Sequence, residues 1–143
     1  MVDVSAKDPT QRTARAVARV RMSPEARGAL QSATLPKGDA FVAAQLAGIM
    51  AAKQTAGLIP LAHPIALDHV DVTFAWEDDG ALAVSAVAST TAQTGVEMEA
   101  MVGAAIAALT IYDMSKALDK GIAIEEVCLL EKTGGKSGTW RRA

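Results

Sequence analysis

Thr94-Gly95-Val96-Glu97-Met98-Glu99-Ala100, continuing through an almost purely apolar stretch to Leu109-Thr110-Ile111-Tyr112-Asp113-Met114-Ser115-Lys116, decides the architecture of this chain. Thr94 with Glu97 three residues on has the spacing of a capping box, so the spacing predicts a helix opening near residue 95 or 96. Gly121, after Asp119-Lys120, predicts its stop. Polar groups stand only at the two tips of this rod. Glu97 and Asp113 are sixteen residues apart, which on an α-helix is roughly 24 Å, and they point to nearly opposite sides. Asp113 and Lys116 share a face. One copy of the chain cannot easily bring both tips into one pocket, so a site that uses both takes one tip from a second subunit.

Working outward, the apolar residues from Ala100 to Ile111 run almost all the way round the helix, which calls for cover on more than one side. Upstream, Ala14, Ala16, Ala18, Val20 and Met22 alternate with Arg15, Arg19 and Arg21, the pattern of a half-buried strand over Thr13–Met22. Ser23-Pro24 opens a short helix, and Asp39 caps a longer one over about Ala40 to Ala56, stopped by Gly57. Pro60 and Pro64 stiffen the loop Leu61-Ala62-His63. Val70, Val72, Phe74 and Trp76 alternate as a second strand, Asp78-Asp79-Gly80 marks a hairpin turn, and a third strand follows from Leu82 to about Thr91. A last strand covers Ile122–Leu130, before a Gly/Lys-rich tail. Strand, two helices, two strands, helix, strand is the split βαβ plan: an α+β fold with a four-stranded, mostly antiparallel sheet and helices on one face.

The 143 residues fit one domain, 1–143, with a mobile N-terminal arm over 1–12 and a tail over 132–143. Hydrophobic residues make up 50% but aromatics only 3%, so the core must be built from small aliphatics and Met, which favours close helix packing and oligomers. A formal charge of −2 gives no bulk attraction for nucleic acid or an anionic membrane. No apolar run reaches the length of about 20 residues that spans a bilayer. The N-terminus lacks a signal-peptide core, and the lone Cys128 allows no intrachain disulfide. The cytoplasm is the expected compartment. No His/Cys/Asp/Glu spacing makes a metal site.

Taken alone, the polar residues leave two readings open. Asp113 and Lys116 could be an ordinary surface ion pair, Glu97 a capping residue and His63 a structural turn histidine. The Gly134–Gly138 region invites a phosphate-loop reading, but the first glycine of that motif would fall at Leu130 and too few residues follow Lys136 for its helix.

Lys37-Gly38-Asp39, Leu58-Ile59-Pro60-Leu61-Ala62-His63-Pro64, Thr94 to Ala100, Leu109 to Lys116 and the Gly-rich tail occur together and in order. In this the chain resembles the cyclic pyranopterin monophosphate synthase family, the molybdenum cofactor biosynthesis protein C family, over almost its whole length. The resemblance implies a ferredoxin-like fold, a hexamer assembled as a trimer of dimers, and conversion of a 3′,8-cyclised GTP intermediate, supplied by a radical enzyme, to a cyclic pyranopterin monophosphate with release of pyrophosphate. It implies catalytic roles for Asp113, Lys116 and Lys37. It implies substrate contacts from Glu99 and Glu97 to the guanine-derived edge, with Met98 between them, and from Leu61, Ala62 and His63. Lys7, Arg12, Lys53, Lys132 and Lys136 are the cations expected at the triphosphate. No resident cofactor is expected; whether Mg²⁺ accompanies the triphosphate stays open. The family commonly has Cys where this chain has Ala62, and often Cys at Ser115, so a thiol at position 62 cannot be essential if the chain is active. A non-catalytic nucleotide-binding oligomer on the same fold is the rival reading.

Overall fold

The structure, a computed structural model, describes residues 1–143. Its elements are β1 (Thr10–Arg21), α1 (Pro24–Gln31), α2 (Ala40–Lys53), α3 (Thr55–Leu58), β2 (His69–Trp76), β3 (Leu82–Ala92), α4 (Glu97–Ser115), β4 (Ala123–Thr133) and β5 (Trp140–Arg141). The strands form one open sheet in the order β2-β3-β1-β4-β5, antiparallel throughout. The first four follow the split βαβ arrangement. One face of β1 and β3 supplies the buried rows Ala14, Ala16, Ala18, Val20 and Leu82, Val84, Ala86, Ala88, and α4 lays Ala100, Ala104, Ala107, Ala108 and Ile111 on them. The core is therefore mostly alanine and valine, thin enough for helices to approach closely.

That approach is tightest where α2 crosses α4. A Cβ added at Gly48 would stand 2.8 Å from the Gly103 carbonyl oxygen and 3.0 Å from Val72 Cγ2. Only glycine lets the two backbones meet there. Outside this contact the helices leave apolar side chains uncovered: Val42, Leu46 and Met50 in one i, i+4, i+8 row on α2, and Leu109 on α4.

The caps expected at Ser23 and Asp39 are present. Ser23 Oγ accepts from Ala26 N–H, and the Asp39 carboxylate accepts from Phe41 and Val42 N–H. Several expectations need correction. The sheet has five strands, not four, because the chain reverses through Gly134 and Gly135, both at positive φ, and pairs Trp140 and Arg141 with Lys132 and Glu131. The capping box is not formed: Val96, almost fully buried, occupies the cap position of α4, no side chain caps the helix, and the Glu97 carboxylate folds back over Gly95. Burial of Val96 in the core sets the start of the helix, rather than the hydroxyl of Thr94. At the other end α4 stops at Ser115, short of Gly121; Asp119 accepts from Ser23 and Gly121 N–H and draws the chain away. Finally, α2 ends at Lys53 rather than near Ala56, where the Thr55 hydroxyl donates to the Ala52 carbonyl and a separate turn, α3, begins. The first strand also starts earlier than expected, so Arg12 belongs to β1 and not to the arm, and β4 runs on to include Lys132.

Candidate active site

The first turn of α4, the loop after α3 and the N-terminal arm enclose a cleft of about 570 Å³. Each wall has a local cause. Burial of Val96 fixes where α4 begins, which sets Glu97, Met98 and Glu99 on its first turn. The two prolines and the Ala62 N–H to Ile59 carbonyl bond hold Leu61, Ala62 and His63 opposite. Lys7 closes the third side. Seven of the residues expected at substrate thus converge. Thr94, Gly95, Ile65 and the arm residues Met1, Val2 and Val4 also line the cleft, and sequence reasoning missed them. No chemical signal marked the arm residues, which are ordinary apolar side chains in a segment that also holds Ala6 and Pro9.

Glu99 dominates the electrostatics of this cleft. It is 3% exposed, and its Oε2 has no hydrogen-bond partner in the chain. Burial pushes its pKa above the ordinary value of 4.5, and the nearby charge of Glu97 adds to the shift. A desolvated carboxyl with a free oxygen is an acceptor waiting for N–H donors.

A second cavity of about 570 Å³ adjoins the first, with Lys7 in both linings. Arg12, Lys136, Ser137 and Thr10 form its other walls, with one carboxylate, Asp8, among them. Arg12 is firmly held: its Nε donates to the Ala92 carbonyl at 3.0 Å and its Nη2 to that of Gln93 at 3.4 Å, while Nη1 lies against Gly135. Lys132 does not line this cavity but donates to Ser137, which does. Lys53 stands apart, in a groove beside Asp68 and His69.

At the far end of α4, Asp113 holds two lysines. Oδ1 accepts from Lys116 Nζ at 2.7 Å and Oδ2 from Lys37 Nζ at 2.8 Å. The Lys116 bond, then the Lys37 bond, bring the Asp113 carboxyl down to about 2. The Asp113 bond in turn raises the Lys116 ammonium above its ordinary value. As it stands, Lys116 is a cation and proton donor rather than a base. All three side chains are about half exposed. Ser115, between them in sequence, is fully buried and faces the core, so it is not available to a substrate.

Two cavities that share a lysine, one with the buried Glu99 carboxyl in its wall, the other lined mainly by cations, suit a molecule with a hydrogen-bond-donating ring at one end and phosphates at the other. Comparison with known proteins points the same way. Curated relatives named cyclic pyranopterin monophosphate synthase include those of Geobacter metallireducens, 56% identical over 99% of this chain and 89% of that protein, Novosphingobium aromaticivorans, 54% identical over 100% and 90%, and Bacillus subtilis, 51% identical over 99% and 85%. The MoaC family model matches residues 1–135, a span that includes the first cavity, both ends of α4 and all of the second cavity's lining except Lys136 and Ser137. The chain belongs to the MoaC family.

Proposed function

We infer that this chain carries out the reaction for which its relatives are named: it is a cyclic pyranopterin monophosphate synthase, converting 3′,8-cyclo-7,8-dihydroguanosine triphosphate to cyclic pyranopterin monophosphate with release of pyrophosphate, in molybdenum cofactor biosynthesis. One observation supports it above the others: the buried, unpartnered Glu99 oxygen and the cationic cavity meet at Lys7. In this reading Glu99, helped by Glu97, accepts the adjacent N–H donors of the guanine-derived edge. Met98 and the Leu61–His63 loop pack beside the ring. Lys7, Arg12 and Lys136 hold the triphosphate, with Lys132 setting Ser137; Lys53, in its own groove, lines neither cavity. Closing the cyclic phosphate forms a bond from a sugar-derived hydroxyl oxygen to the α-phosphorus and breaks the α–β bridge, whose electrons leave on pyrophosphate. Cations at that bridge favour departure. The reading needs no resident cofactor, and any Mg²⁺ enters as part of the triphosphate substrate.

Lys116, Lys37 and Asp113 are the proton-transfer group, and the same copy cannot deliver them to Glu99 along a helix of nineteen residues. A second copy supplies them. The uncovered row Val42, Leu46, Met50 and the nearly uniform apolarity of α2 and α4 support such a partner. The full assembly is a hexamer built as a trimer of dimers, working in the cytoplasm. Incubating the protein with the cyclised intermediate and assaying pyrophosphate tests the activity; tight binding without release would favour the non-catalytic rival. Mixing Glu99→Ala with Lys116→Ala tests the seam. Randomly exchanged dimers carry one intact site in half of their number, so about a quarter of wild-type activity returns. No recovery after proven subunit exchange would place both halves in one copy.

A further inference from the structure

The nine residues before β1 run along the first cleft and carry Lys7 to the junction with the second. Within this arm, Ser5 N–H donates to Asp3 Oδ1 at 2.9 Å and Lys7 N–H to the Val4 carbonyl at 3.0 Å, which shape the arm but do not attach it. A single hydrogen bond joins it to the rest of the chain: His63 Nε2 to the Val2 carbonyl, at 2.7 Å. A carbonyl oxygen can only accept, so Nε2 carries the hydrogen. The ring is anchored on its own side by the turn between Pro60 and Pro64.

We propose that His63 is a latch: its imidazole fastens the N-terminal arm over the cleft and thereby places Lys7 where the ring site meets the phosphate site. It acts as a positioning residue for Lys7, not as a proton carrier, because its Nε2 hydrogen is already committed to the Val2 carbonyl. The assignment of Lys7 to phosphate rests on the function proposed above; the latch itself is a property of the free protein and can be read without turnover.

A nitroxide attached at Ser5→Cys, in a Cys128→Ser background, reports arm mobility through its spectral line shape. The spectrum is expected to be immobilised with His63 present and to sharpen in His63→Ala. In His63→Gln, whose amide N–H2 can still donate to Val2, it should broaden again. With substrate, His63→Ala raises KM by about five- to tenfold, the size of one lost hydrogen bond, with a smaller change in kcat. His63→Gln restores KM, and in a Lys7→Met background His63→Ala adds nothing further. An equally immobile label in His63→Ala would overturn the latch, as would a kcat loss that Gln fails to rescue or KM effects of His63 and Lys7 that simply add. If the wild-type protein turned nothing over, the proposed function would fall while the line shapes still decided the latch.

Discussion

At the first turn of α4 the Glu99 carboxyl is buried with one oxygen unbonded, whereas at its last turn Asp113 is half exposed and bonded to two lysines. One end is dry and unsatisfied, the other wet and satisfied. The dry end weakens the fold when ionised, and in the proposed function the missing donors come from the substrate. The wet end adds little to stability, since exposed ion pairs are screened by water. Its charges become strong only when something excludes that water. A second copy laid over the uncovered face of α2 and α4 would do so, and would complete both ends together.

The largest effect expected from breaking this contrast is on turnover. Asp113→Ala and Lys116→Ala should each slow pyrophosphate release by about 10²–10⁴-fold, the span of general acid–base catalysis, while the thermal midpoint barely moves. A large loss of stability with turnover intact would make the trio a structural clamp.

Glu99→Gln probes the dry end. Replacing an acceptor oxygen by an N–H2 group that faces the donors of the ring should raise KM by about ten- to a hundredfold, the cost of a charge-assisted bond turned into a clash of donors. The stability effect runs the other way. The folded-state pKa of Glu99 lies above 4.5, so its contribution is fully present below that pH and is lost as pH rises through the raised value. Glu99→Gln does not titrate, and should gain on wild type in urea midpoint as the solution is taken from pH 4 upward. Asp113 has the opposite sign. Its carboxyl is lowered from 3.8 to about 2, so its contribution is present above pH 3.8 and lost as pH falls toward 2. The difference between wild type and Asp113→Asn should close in that acid window. Parallel pH curves for the two variants would mean that the ends of the helix are not differently solvated.

Features held by local bonds were legible in the sequence. The Ser23 and Asp39 caps need only a side-chain oxygen and N–H groups two or three residues on, and the alternation in β1 and β3 reports burial directly. Features decided at a distance were not. Thr94 and Glu97 have the spacing of a capping box, but the core takes Val96 and moves the helix start. β5 is two residues long and exists only because β4 is there to pair with. In the site, Glu99 and Asp113 were readable as chemically distinctive residues at the tips of an apolar rod. Lys37 entered the candidate site through the family resemblance, but its bond to Asp113, 76 residues away, was visible in no pattern. Met1, Val2 and Val4 carry no chemical signature, and their place beside Glu99 depends on how the arm enters β1.

Ser115 offers the smallest and sharpest test. Its Oγ, like Glu99 Oε2, is buried without a partner, and the two stand at opposite ends of one helix. If missing partners by themselves marked a substrate site, both atoms would qualify. Ser115 is fully enclosed, however, whereas Glu99 borders the cleft. An enclosed hydroxyl has no ligand to wait for and simply weakens the fold. Ser115→Ala should therefore raise stability by up to about 1 kcal/mol, a thermal shift of a few degrees, and leave pyrophosphate release unchanged even though Lys116 is its neighbour. Loss of turnover on the scale of the Glu99 variant, with no gain in midpoint, would show that this hydroxyl steers Lys116 through the helix end. The division of labour along α4 would then have to be redrawn.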